Sequence, residues 1–158
     1  MASSKNFGIL VLTISLLVFI LGGCAPMKLN VIPEKASITP DLLKNPIKFS
    51  ATGFSPKEVV TIELIVPKGV QMKGLKEGEN RVGMAVANAD DKGNFEVSMA
   101  AISTLNSLFQ VGWTSAMTPD FKQAKPLPAG KYDIIATGLE SNKVAKGVME
   151  IVPPPSKK

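Results

Sequence analysis

The stretch Val59-Val60-Thr61-Ile62-Glu63-Leu64-Ile65-Val66 decides the fold. Val60, Ile62, Leu64 and Val66 alternate with Val59, Thr61, Glu63 and Ile65, and this period of two in β-branched residues predicts a strand with one more polar face. Pro67-Lys68-Gly69 then fits a turn with proline at its second position and glycine at its fourth. On the N-terminal side, Ile47 to Thr52 is a shorter run of the same kind ahead of Gly53. On the C-terminal side, Arg81 to Ala89 places Val82, Met84 and Val86 on one face and Gly83, Ala85 and Ala87 on the other. Asp90-Asp91-Lys92-Gly93 reads as a hairpin loop whose glycine takes positive φ, after which Phe95, Val97 and Met99 point inward. Lys131 to Thr137 and Val144 to Val152 are two further strands, joined by Gly138 to Asn142. Short strands, frequent turns and little helix predict an all-β chain, a two-sheet antiparallel sandwich of about seven strands.

Residues 100–125 interrupt that pattern. Ile102, Leu105, Leu108 and Phe109 recur at helical spacing with Ser103, Thr104, Asn106, Ser107 and Gln110 largely opposite, which predicts one short amphipathic helix before Gly112 and a long loop after it. Two uses of this excursion follow. Ile102, Leu105, Phe109, Trp113 and Phe121 form either a binding surface for a small apolar ligand or a cap over one open end of the core.

The N-terminus carries Lys5 and then an apolar run from Phe7 to Leu21 of about fifteen residues, a secretory signal that falls short of the roughly 20 needed to span a bilayer. Its end, Leu21-Gly22-Gly23-Cys24, resembles the lipobox of bacterial lipoproteins. The resemblance implies that Leu21, Gly22 and Gly23 are the signal-peptidase motif. It also implies that Cys24 becomes the first residue and holds the chain on a membrane through diacylglyceryl and palmitate-type chains. Ala25 rather than aspartate after it points to the outer membrane in a host with two membranes. Small residues before Cys24 suit an extended backbone entering a narrow protease site, and the thiolate is the nucleophile that takes the lipid. Cys24 is the chain's one cysteine, so no internal disulfide forms. The expected organisation is a signal-peptide helix at 1–23, a tether at 24–35, the sandwich at 36–152 and a proline/lysine tail at 153–158.

Three turn motifs carry a second resemblance: Gly53-Phe54-Ser55-Pro56-Lys57-Glu58, Ala89-Asp90-Asp91-Lys92-Gly93-Asn94-Phe95, and Leu127-Pro128-Ala129-Gly130-Lys131-Tyr132 leading into Ile134-Ile135-Ala136-Thr137-Gly138. They are similar to the bacterial immunoglobulin-like domains of surface proteins across residues 36–152. The resemblance implies an immunoglobulin-like sandwich in which the Tyr132 hydroxyl bonds back to the preceding loop as a tyrosine corner. The inter-sheet disulfide of such domains is missing, and Trp113 lies outside the strand that usually carries the core tryptophan. Turn chemistry of this kind speaks to fold rather than function.

The chain has no histidine, which removes Ser-His-Asp and Cys-His constellations and histidine zinc sites. Ser55 and Ser141 each precede a lysine by two residues, but the Ser-x-x-Lys spacing of acyl enzymes is absent. Glu77, Glu79, Asp90, Asp91 and Asp120 fall in polar, turn-like segments where a carboxylate keeps its ordinary proton affinity. Asp90, Asp91 and Asn94 lack the ligand spacing of a calcium loop. Met72, Met84, Met99, Met117 and Met149 are scattered, as core filling requires. No metal or cofactor is expected. The formal charge of +5 is mild, and Arg81 is the lone arginine, so nucleic acid is not an expected partner. The expected function is a non-enzymatic envelope lipoprotein that engages a protein or glycan, with a carrier or sensor for a small apolar ligand as the alternative.

Overall fold

Val60, Ile62 and Leu64 are wholly buried and the residues between them half-buried, so the deciding stretch folds as its alternation predicts. The computed structural model describes residues 26–155. There this stretch is the fifth of eleven strands: β1 (Met27–Lys28), β2 (Asn30–Ile32), β3 (Lys35–Ser37), β4 (Lys48–Ala51), β5 (Val59–Ile65), β6 (Arg81–Asn88), β7 (Phe95–Ser98), β8 (Gly112–Trp113), β9 (Pro119–Asp120), β10 (Gly130–Gly138) and β11 (Val144–Val152). The six stretches read as strands from the sequence are therefore the longer members of a larger set. A short helix, α1 (Asp41–Lys44), lies between β3 and β4, and α2 (Ala101–Ser103) follows β7.

The large sheet runs β1-β11-β10-β5-β6, with β3 also paired to β11, and the small sheet runs β2-β4-β7. β8 and β9 form a separate ribbon. The expectation of a purely antiparallel arrangement is corrected by β1 and β3, which both pair with β11 in parallel. The two larger sheets bury their inner faces in one cluster: Val31, Phe49 and Phe95 from the small sheet meet Ile62, Ile134 and Met149 from the large one. Full burial of each such side chain contributes about 1.5–3 kcal/mol, so this shared cluster is what joins the layers.

Residues 27–35, expected as a tether, belong to the fold. Leu29 and Val31 are buried in the shared cluster, and β1, β2 and β3 alternate between the large, small and large sheets. Each piece is two or three residues long and Pro33 breaks the run, so no periodic signal accumulates.

Three local readings are also corrected. In β6, Ile62 pairs with Ala85 but Glu63 pairs with Gly83, leaving Met84 as an extra residue. This bulge reverses the alternation beyond it, so Val82 and Met84 face inward but Ala87 replaces Val86, which is 62% exposed. The turn after β5 begins at Pro67, whose carbonyl accepts from Val70 N at 3.2 Å, placing Gly69 at the third position with φ +87°, the type II arrangement. The loop at 90–93 does carry a positive-φ glycine, Gly93 at +76°, but it is no hairpin, because β6 and β7 lie in different sheets.

Candidate functional site

The lipobox residues Leu21, Gly22, Gly23 and Cys24 lie outside the described residues. The fold starts immediately after them: Met27 pairs with Ala145 and Lys28 with Lys146 at the beginning of β11. Because β1 and β11 are parallel, the chain enters the domain at the end where β11 starts. Three loops meet at that end. Gly53 N and Phe54 N both donate to the Gly93 carbonyl (3.1 and 3.0 Å), Lys57 N donates to the Asp90 carbonyl (3.2 Å), and Lys143 Nζ donates to the Gly53 carbonyl at 2.7 Å. The Met27 side chain covers Gly53, its Cε 3.4 Å from where a Cβ would stand.

Glu58 fastens these loops from inside. It is fully buried and accepts from Ser55 N, from Ser141 N at 3.0 Å and from Ser141 Oγ at 2.8 Å. Burial pushes its proton affinity up, but the Ser55 and Ser141 donors outweigh burial and hold the carboxyl below the usual carboxylate range. The Ser141 hydroxyl donates to this carboxylate and so holds the loop to it. The Lys143 ammonium is committed to the Gly53 carbonyl. Ser55 and Ser141, each two residues ahead of a lysine, are thus brought together at the Glu58 carboxylate. The strand turns here without a side chain at Gly138, where a Cβ would stand 2.5 Å from Glu58 Oε2. Sequence reasoning missed Glu58, although its signal was present. It stands in phase with Val60, Ile62 and Leu64, on the face that goes inward.

The remaining acids serve their own turns. Asp90 Oδ1 accepts from Lys92 N and Asn94 N, both at 2.8 Å, and Oδ2 from Asn94 Nδ2 at 3.3 Å. The Asn94 amide foremost, with Lys92 adding to it against partial burial, lowers the Asp90 carboxyl below its ordinary value. Asp91 pairs with Lys57 at 3.2 Å. Glu79 accepts from Lys76 N, and Asp120 accepts from Lys122 N and Gln123 Nε2. Among the described residues no group of three or more His, Cys, Asp or Glu is arranged to hold a metal. Four of the five methionines are buried as core filling, but Met117 is 76% exposed.

The excursion is partly a helix, but not the one expected. α2 passes at Thr104 into a π-helical turn, Thr104–Phe109, whose wider winding does not keep a single apolar stripe. Thr104, Ser107 and Gln110, expected on the polar side, are buried. Leu108 joins the main core, while Leu105, Phe109 and Val111 form a second cluster with Trp113, Ile38, Leu43 and Ala124 packed against it. Gln110 ties the segment to its surroundings, accepting from Lys73 N (2.7 Å) and donating to the Lys125 carbonyl (2.8 Å). Ser107 Oγ donates to the Gly83 carbonyl at 3.4 Å, covering the free edge of β6.

The five candidate binding residues are therefore divided. Leu105 and Phe109 are buried and Trp113 is half-buried, with its Nε1 donating to Asn106 Oδ1 at 2.8 Å. Ile102 is 51% and Phe121 50% exposed, and the Phe121 ring stands edge-on to Phe109 with centroids 6.0 Å apart. Leu105, Phe109 and Trp113 thus pack together, Phe121 stands against Phe109 at the surface, and Ile102 belongs to neither buried cluster. A depression lies elsewhere, on the outer face of the large sheet. It has a volume of about 670 Å³ and is walled by Ile65, Arg81, Ile135, Asn142, Lys146 and Val148. Arg81 is held over it by Glu63 at 3.2 Å.

Tyr132 is buried and donates to the Pro128 carbonyl at 2.7 Å, as the tyrosine-corner resemblance implies, and burial raises its hydroxyl's proton affinity. No family model matches the chain, and no curated protein matches it. Among solved structures the chain is similar to macromomycin, at 13% identity and a TM-score of 0.45, over 80% of this chain and 99% of that one.

Proposed function

We propose that this chain is a lipid-anchored lipoprotein of the bacterial cell envelope, acting through an immunoglobulin-like sandwich as a non-enzymatic module that engages an envelope protein or glycan. The observation that carries this reading is Leu21-Gly22-Gly23-Cys24 at the end of an apolar run, directly ahead of the first strand. Two sheets on one core and the Tyr132 corner support the immunoglobulin-like assignment. The outer face of the large sheet supports the interaction role. Val86 and Val148 are exposed there beside half-buried Ile135, with Arg81 and Lys146 among them, a mixed apolar and charged surface suited to a protein or glycan partner. Glu58 and Ser141 are spent on holding loops, which favours a non-enzymatic role.

The test is the intact mass of the protein purified from a bacterial membrane, together with palmitate labelling. A start at Cys24 carrying diacylglyceryl and acyl chains is expected, and Cys24→Ser abolishes the label and the membrane association. A free thiol at Cys24, or a Cys24→Ser protein still held in membranes, refutes the reading. Photo-crosslinking from Ile135 or Val148 in intact cells is expected to capture an envelope component. Failure at both positions removes the interaction role from this face.

A further inference from the structure

The end of the domain fastened by Glu58 is also the end at which the chain enters, and the distance to the anchor is short. We propose, resting on the reading of Cys24 as the acylated residue, that this loop end lies directly on the lipid headgroups and that Leu139 enters the interface.

The first step is covalent geometry. From Cys24 to Met27 the chain advances three residues, at most about 10 Å even fully extended. Met27 has no freedom to lengthen that span, since it is paired to Ala145 and its side chain is packed over Gly53. The headgroup layer on each side of a bilayer is itself about 5–7 Å thick. Acyl chains buried in the hydrocarbon therefore hold Met27 close to the phosphates, with no flexible tether to lift the domain away.

The second step is what that end presents. The β10–β11 turn carries Leu139, 58% exposed, and its backbone is fixed, because Leu139 N donates to the Val59 carbonyl at 2.9 Å and Ser141 is stapled to Glu58. A rigid loop tip bearing one large apolar side chain loses little entropy on entering an interface. Exposed Lys28 and Lys92 lie at the same end, where cationic side chains are drawn to anionic headgroups. Asp90 and Glu140 are also there and oppose them, while the Asp91 charge is paired with Lys57. The opposite end has the turn at Pro67 and the sealed excursion, and no chain leads from it toward the anchor.

The experiment uses the full chain, acylated in bacteria, so that lipid on Cys24 occupies the only native thiol. Leu139→Cys, at the loop tip, and Glu77→Cys, at the far end, each supply one site for a fluorophore. The labelled proteins are reconstituted in phosphatidylcholine–phosphatidylglycerol vesicles carrying a nitroxide on the headgroup. The Leu139→Cys probe is expected to lose most of its emission and the Glu77→Cys probe almost none. An unquenched Leu139→Cys probe, or equal quenching at both sites, overturns the proposal. Intact mass separates the two ideas. If the lipid is present and the Leu139→Cys probe is unquenched, the anchor stands and the orientation falls; if the lipid is absent, both fall.

Discussion

Replacing Leu108 with alanine removes Cγ and both Cδ carbons from a side chain with no solvent exposure that belongs to the main core although it comes from the excursion. At roughly 0.8 kcal/mol per buried carbon the lost transfer free energy is about 2.4 kcal/mol. The cavity left behind adds to it, because neither Leu127 N, which donates to the Leu108 carbonyl at 2.8 Å, nor the strands beneath can collapse fully. A loss of about 3 kcal/mol is expected, within the ~2–5 kcal/mol range of such substitutions, and for a domain of this size it lowers Tm by roughly 10 °C. Urea unfolding of the soluble chain from residue 26 onward, followed by Trp113 fluorescence and by far-ultraviolet circular dichroism, measures it. Trp113 reports the second cluster and circular dichroism reports the sheets. The two probes are expected to shift together, since the excursion closes the core and unfolds with it. Ile102→Ala, at a half-exposed position six residues earlier in the same segment, is expected to change stability by less than about 0.5 kcal/mol. Two separate transitions, or a Leu108→Ala loss below about 1 kcal/mol, refute the argument that the segment closes the core.

Tyr132→Phe removes only the hydroxyl that donates to the Pro128 carbonyl. Pro128 is exposed, so water replaces the lost donor, and the expected cost is about 1 kcal/mol in urea unfolding; no change at all argues against a functioning corner. The Glu58 carboxyl is held below its ordinary range in the fold, so its stabilisation is complete above that range and is lost as pH falls through the depressed folded value. Glu58→Gln is therefore expected to be less stable at neutral pH, where an amide NH2 faces donors, and to show a shallower acid limb. Parallel pH profiles for the two proteins contradict the staple.

How much of this was legible depends on whether a residue's neighbours in sequence are also its neighbours in space. β5 was read from its period, because seven residues of alternation leave one consistent face, and β10 and β11 were placed as long apolar-rich runs between turn residues. β6 was read correctly as far as Met84 and wrongly beyond it, since a bulge is set by pairing with β5 and not by the residues of β6. The loop at 90–93 has the same Asp and Gly chemistry whether it returns to the same sheet or crosses to the other, so its hairpin reading had nothing local to correct it. The excursion failed differently. Its spacing suits an α-helix, but burial against two clusters favours a π-helical winding that brings Thr104, Ser107 and Gln110 inside. Glu58 was hidden because a charge is expected outside, and only the phase of its strand argued otherwise.

The two ends of the domain are closed by different means, and the difference bears on the membrane-anchored placement proposed above. The excursion end is sealed by apolar packing, which holds wherever water is the solvent. The entry end is sealed by hydrogen bonds to a carboxylate and by backbone pairs between loops, which direct their donors inward and leave an ordered rim. Lipid headgroups exchange with water at such a rim without the domain losing a hydrophobic contact. In the orientation proposed above, with that end down, β10 would rise from the membrane over nine residues, about 30 Å at the usual strand rise. The outer face of the large sheet then stands upright, with Arg81, Ile135 and Val148 turned sideways. On that proposal a partner that uses this face would approach along the membrane and meet the domain within that height, which would put neighbouring envelope components within its reach and leave distant soluble ones outside it.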